Sequence, residues 1–352
     1  MPAQEDLKPV PSKNRKGTKV QKQKNESKRI PKLAYALTLV LVAAGLTGCS
    51  DTPPKAVTIA AHDSFVMSDE LIKQFEDETG YQLEIVKLGD AGELTNKLVL
   101  TEDAPVADAF FGIDNTFAGV ATSNGVVDGE MTAIDFADVC FNYDVQWFAT
   151  RGIPAPTSWR ELTNARYRSL TVIENPNTSS TGLAFLFATI GALGDGWKTW
   201  WGALRDNDVE VVSSWETAYY TAFSGSAGKG DWPIVLSYSS SPADEVGDDG
   251  LSRTKSLNRE CFRQTEFAGV LSGAKNKAGA EALVKFMLQD AFQSALPAAM
   301  YVYPINREIP LPESWANLAP AADSFVDTSG LDFNANRSDW LAQWSSIMKN
   351  KK

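Results

Sequence analysis

From residue 55 onward the spacing of apolar positions switches back and forth between two periods. "AVTIAAH" (56–62) reads as a strand. "SDELIKQFEDETG" then sets Leu71, Ile72 and Phe75 on one helical face, with Ser68 suited to the N-cap and Gly80 to the stop. "YQLEIVKL" returns to strand. The same alternation continues through "GELTNKLVL" and "VADAFFGI", "SLTVIEN" and a helix from Gly182, "VEVVSS" and "WETAYYTAF", and then "WPIVLSY". Strands alternating with helices predict an α/β protein with mainly parallel sheets and right-handed crossovers. No internal repeat or long low-complexity linker interrupts this region.

The first part of the chain has no such pattern. Residues 1–32 carry ten Lys or Arg against Glu5, Asp6 and Glu26, which makes a basic, unpacked n-region. An apolar run follows, from Leu33 to Leu46. It is short for a spanning helix and ends in small residues, as a secretory signal does. The chain is therefore expected to be exported. Leu46-Thr47-Gly48-Cys49 resembles the bacterial lipoprotein box, which makes residues 1–48 a cleaved signal, Cys49 the lipidated new N-terminus and 49–56 a linker. An uncleaved membrane anchor would give the same topology.

Composition narrows the functions. At 352 residues with 43% hydrophobic content there is material for a large core in two lobes. Loss of the leader lowers Lys plus Arg from 33 to 23 and Asp plus Glu from 44 to 41, so the net charge moves from −11 to −18. Such a surface repels nucleic acid and anionic lipid. Cys140 and Cys261 remain in an oxidising compartment, as a disulfide or as two buried thiols. One His, His62, and no CxxC or HExxH spacing argue against a metal. No GxSxG, SxxK or Cys/His signature meets that His, so the chain is not expected to be an enzyme. Without a GxxxxGK[ST] loop or a Rossmann fingerprint, it is not a transporter's ATPase either, and no cofactor is expected.

In open α/β sheets ligands sit beyond the C-terminal strand ends. Those loops read "HDSF" (62–65), "GDAG" (89–92), "GIDN" (112–115), "NPNTSSTG" (175–182), "SSW" (213–215) and "SYSSSPAD" (237–244). A helix needs only one capping hydroxyl, whereas Thr178, Ser179, Ser180 and Thr181 all stand at one helix start. The surplus points to an anion or polar-ligand site, or to a plain Ser/Thr-rich turn. Trp197, Trp200 and Trp201 fall at helical spacing and are assigned to packing, as are Trp159 and Trp340.

"HDSF", "GIDN", "NPNTSSTGLAF", "SWETAYYTAF", "IVLSYSSSPA" and "YVYPIN" followed by "PLP", in this order, resemble the thiamine-binding periplasmic protein family, the solute-binding component of bacterial thiamine ABC importers. The likeness covers roughly Val57 to Met348. It implies a type II periplasmic-binding fold, with two α/β lobes joined by two crossing strands. The lobes would be 57–137 plus 268–318 and 138–267, with a C-terminal helical segment at 319–352. The crossings would fall at 135–144 and 261–269. Both remaining cysteines lie on them, so a Cys140–Cys261 bond would tie neighbouring hinge strands.

Thiamine has a flat aminopyrimidine, a cationic thiazolium and a tail that can carry phosphate, so its site needs aromatic faces, carboxylates and donors. The resemblance puts Trp215, Tyr238 and Tyr301 against the rings, and Ser179 and Ser180, beside Thr178, at the tail. His62, Asp63 and Ser64 match the family's "YDSF", with His in place of Tyr. Asp244 stands where the family commonly has a stacking Tyr. Asp90 and Asp114 are candidate counter-charges, or capping residues. The implied protein is a monomeric lipoprotein, held at the cell membrane by Cys49, that delivers thiamine or a thiamine phosphate to an ABC permease and its ATPase. Receptors for ferric iron, a polyamine or a phosphonate, and a thiaminase-like enzyme on the same fold, are the alternatives.

Overall fold

A computed structural model describes residues 55–349 except 228 and 320. The basic leader, the apolar run and Cys49 lie outside the described residues.

The first half contains β1 (Lys55–Ala61), α1 (Asp69–Thr79), β2 (Tyr81–Lys87), α2 (Ala91–Leu100), β3 (Ala109–Asp114), α3 (Ala118–Ser123), β4 (Thr132–Asp144), α4 (Val145–Arg151) and β5 (Thr171–Glu174). Next come α5 (Ser180–Leu193), α6 (Trp197–Asp206), β6 (Glu210–Val212), β7 (Ile234–Tyr238), β8 (Thr254–Ser256) and β9 (Phe262–Val270). The chain closes with α7 (Lys277–Met287), α8 (Asp290–Met300), β10 (Tyr303–Pro304), α9 (Glu313–Leu318) and α10 (Phe333–Lys349).

The α1 boundaries follow from local chemistry. The Ser68 hydroxyl accepts from the Leu71 N–H, and Gly80 at φ 71° ends the helix in the left-handed region, donating its N–H back to the Glu76 carbonyl. Phe75 is fully buried while Leu71 and Ile72 are half-buried, as the three-four spacing requires. "WETAYYTAF" departs from a regular helix, because Thr217–Ala222 is wound as a π-helix.

The strands order as β2-β1-β3-β9-β4-β7-β5-β6, with β8 and β10 also on β4. β2, β1 and β3 are mutually parallel, and so are β7, β5 and β6. Between these blocks run β9 and β4, antiparallel to each other and to the neighbours that flank them. β4 is shared between blocks: Thr132–Val139 pairs with β9, and Val139–Tyr143 pairs with β7. The antiparallel register sets Val139 opposite Phe262, so the next pair is Cys140 and Cys261. Their Cα atoms are 5.0 Å apart and a disulfide joins them.

Alternation along the strands separates the core into faces. Ala60, Phe110, Phe141 and Leu236 contribute to one cluster with Leu94, Leu183, Phe187, Trp201 and Trp344. The intervening positions Ile59 and Phe111 face a second cluster with Phe75, Phe286 and Phe292, and Val172 and Val235 a third with Trp215, Tyr219 and Phe223. Trp197, Trp200 and Trp201 pack in the first cluster, where Trp201 meets Phe185 and Trp344 edge-on. Helix α10 lies along that face. Phe333 stacks on Phe187 at 4.2 Å, Arg337 covers Phe117 at 4.4 Å, and the Arg205 guanidinium donates to the Ile347 carbonyl at 2.6 Å.

Candidate functional site

The C-terminal ends of β1, β2, β5, β6 and β7 deliver their loops to one place, where helices α2 and α5 begin. A cavity of about 30 Å³ lies there, lined among others by His62, Asp90, Ser180, Trp215, Tyr238 and Glu266.

Asp90 is the link between the two parallel blocks. It is the N-cap of α2, and one of its oxygens accepts from the Ala91 N–H. The same carboxylate accepts from the Trp215 N–H at 2.8 Å and from the Ser180 N–H at 3.3 Å. The start of α5 therefore has an anion at its positive end, supplied by the chain itself. The Glu93 N–H reaches the Thr178 carbonyl at 3.1 Å, and the approach is close enough that a Cβ on Gly92 would fall 2.5 Å from that oxygen. Burial raises the Asp90 carboxyl above its ordinary range, against the lowering effects of the Trp215 N–H and of His62.

The hydroxyl cluster is satisfied internally. Thr178 donates to the Ser213 carbonyl at 2.6 Å, and Thr181 donates to Glu174 at 3.0 Å. Ser179 and Thr181 hydroxyls lie 3.0 Å apart, and Gln264 donates to the Ser180 hydroxyl at 3.0 Å. Glu174, fully buried, is held well above the usual carboxylate range by desolvation.

The ring wall is built on the π-helical turn and β7. Trp215 stacks on Tyr219 with centroids 5.1 Å apart and planes 10° from parallel, and its indole N–H donates to Ser237 at 2.9 Å. Tyr238 lies 5.6 Å from Trp215, tilted by 36°. Tyr301 caps α8 in the left-handed region at φ 59°, a costly conformation for a bulky residue. Its ring is 6.2 Å from Trp215, and its hydroxyl is 3.1 Å from that of Tyr220. Burial, then hydrogen bonds with Tyr220 and Asp244, keep the Tyr301 phenol protonated far into alkali.

The floor is acidic. His62 lies 3.2 Å from Glu266 and against Phe111, with ring centroids 5.5 Å apart. It packs against Gly112, where a Cβ would fall 2.0 Å from the imidazole; Gly112 also takes φ 95° at a bulge in the β3–β9 register. Desolvation lowers the His62 pKa, but Glu266 and Asp90 outweigh it and the net shift is upward.

Of the sequence candidates, His62, Asp63, Ser64, Asp90 and Ser180 line the cavity together with Trp215 and Tyr238. The others stand apart from its lining. Asp114 accepts from the Thr116 hydroxyl and from the Thr116 and Phe117 N–H groups, which makes it a turn cap. Thr178 and Ser179 sit behind Ser180, and Asp244 meets Tyr301 at the rim. Glu266 was missed. The period-2 face of β9 runs Phe262, Gln264, Glu266, Ala268, Val270, all buried, and two polar residues on an inward face were the available signal.

The model of the bacterial extracellular solute-binding protein family matches residues 112–324. The thiamine-binding periplasmic protein of Salmonella typhimurium is 26% identical over 311 residues, covering 82% of this chain and 92% of that protein. Its Brucella melitensis counterpart is 28% identical over 335 residues, covering 89% and 98%. Among solved structures, a periplasmic thiamin binding protein superposes with a TM-score of 0.73 at 24% identity, covering 83% of this chain and 96% of that one. The architecture is the type II periplasmic-binding fold.

Proposed function

The chain belongs to the bacterial extracellular solute-binding protein family, and from that premise we propose that it captures thiamine outside the cytoplasm and passes it to an ABC permease and its ATPase. The observation that carries this reading is the pairing, in one cleft, of the Trp215 and Tyr238 rings with the Asp90 and Glu266 carboxylates. Aromatic faces take a flat aminopyrimidine, and carboxylates beside them take a ring cation. Asp90 at the start of α5 suits a neutral hydroxyethyl tail better than a phosphate, since an anion already sits on the Ser180 N–H.

The mature protein is a lipoprotein held at the membrane through Cys49 and acts as a monomer. Its lobes, 57–137 with 268–318 and 138–267, close by bending β4 and β9. The 319–352 segment packs on the body. Closure follows ligand contacts that exist only in the closed form. Asp63, Ser64, His62 and Ser180 complete the binding surface, with Tyr301 and Asp244 at its rim.

Two observations weigh against the other readings. Among the described residues no group of three or more His, Cys, Asp or Glu could hold a metal ion, which weighs against the ferric-iron reading. Cys140 and Cys261 are consumed in their bond, which leaves no described thiol for a thiaminase-like attack.

Mass spectrometry of the small molecule that co-purifies with the mature protein tests the solute directly. Tyr238→Ala is expected to cost about 1–3 kcal/mol of thiamine binding by calorimetry, the size of one base-stacking contact. Unchanged affinity overturns the site.

A further inference from the structure

Behind the aromatic wall, three carboxylates stand side by side on three neighbouring strands. Glu266 on β9 is in register with Asp114 on β3 and with Asp135 on β4, so all three leave the sheet on one face. Glu266 lines the cavity and Asp135 lies behind it, fully buried, with no donor for either oxygen among the described residues. Ionised carboxylates only accept, so two of them paired across neighbouring strands and buried from water are satisfied only when one carries a proton. Burial first, and then the charge of Glu266, push the Asp135 carboxyl well above its usual range.

The surroundings of the pair are short of positive charge. Asp90 from the α2 cap, Glu174 from β5 and Asp114 from β3 add carboxyl groups, and Tyr238 from β7 adds a phenol. Opposing them are the His62 imidazole at 3.2 Å from Glu266, Lys87 acting on His62, and Arg337 of α10 acting on Asp114. Five carboxyl groups thus face one imidazole and two outlying cations.

We propose that Glu266 is the counter-charge that selects a cationic solute for this cleft, and that Asp135 carries a proton onto it which departs when the cation arrives. The Asp135 O–H bond breaks, the proton passes to solvent, and the solute's positive charge takes its place; no electrons are transferred. The cation rests on the thiamine reading, whereas the proton does not.

Two measurements on the mature protein near neutral pH test this. In the infrared, the difference between natural protein and Asp135→Asn, both without solute, should contain the C=O stretch of a protonated carboxyl, and Glu266→Gln should shift that band. Its absence overturns the proposal. In calorimetry with thiamine in buffers of low and high ionisation enthalpy, the natural protein should release about one proton per thiamine bound. Asp135→Asn, whose amide donates to Glu266 without titrating, should release none. Equal release from both proteins overturns the proposal. An infrared band without any heat from thiamine would sink the thiamine reading and leave the proton on Asp135 standing.

Discussion

Asp90 shows how one side chain can join segments far apart in sequence. It caps its own helix and receives the N–H groups of Ser180 and Trp215, 90 and 125 residues away. Asp90→Ala removes the acceptor from both, and both residues are buried. Leaving such donors unpaired costs about 1–3 kcal/mol. Thermal unfolding should therefore show a lower Tm for Asp90→Ala, and a smaller drop for Asp69→Ala, an exposed acid in the first turn of α1; equal Tm values would mean that the contact is not held in solution. The sequence offered Asp90 only as a counter-charge or cap, because nothing local announces which backbone donors will arrive from another loop. The hydroxyls of 178–181 were equally ambiguous. Their surplus over what a cap needs was visible, but their partners, Ser213, Glu174 and Gln264, are fixed only by tertiary packing.

At the scale of elements, what was legible was whatever depends on neighbours in the chain. Helix α1 came with its Ser68 cap and Gly80 stop, whereas the long strands at 132–144 and 262–270 were expected only through the family resemblance, as crossings at 135–144 and 261–269. What was not legible was register. Glu266 joins the floor because β9 is threaded between β3 and β4, a pairing no periodicity encodes. The π-helical winding of Thr217–Ala222 was missed for a similar reason, since it is part of the Trp215–Tyr219 stack. The cysteines are the exception, a pairing expected once the family resemblance had placed the two crossing strands. Their bond closes a loop with a sequence separation of 121 residues. On loop-closure entropy it is worth about 4–5 kcal/mol. Cys261→Ser should lower the denaturation midpoint accordingly, with little change in the denaturant slope if the fold is otherwise intact; an unchanged midpoint would show that the hinge strands do not need the tie.

For the molecule as a whole, the buried acids set how stability responds to pH. Desolvation first, and then Glu266, push Asp114 up to about 7, and Asp135 and His62 are also raised. Each of these folded pKa values exceeds its unfolded one, so each contribution to stability is complete below the unfolded pKa and is lost as pH rises through the folded value. The unliganded protein should accordingly melt at a higher temperature at about pH 5 than at about pH 8, and Asp114→Asn should flatten that slope. A melting temperature that climbs across the same interval would contradict the buried-acid floor.

The cleft between the sheet blocks encloses about 30 Å³. That is well below the roughly 300–1,000 Å³ of pockets that bury a small-molecule ligand. If a vitamin-sized guest enters only while the blocks stand apart, stopped-flow uptake should level off with rising guest concentration, and a rate that keeps climbing in proportion would show a cleft already open.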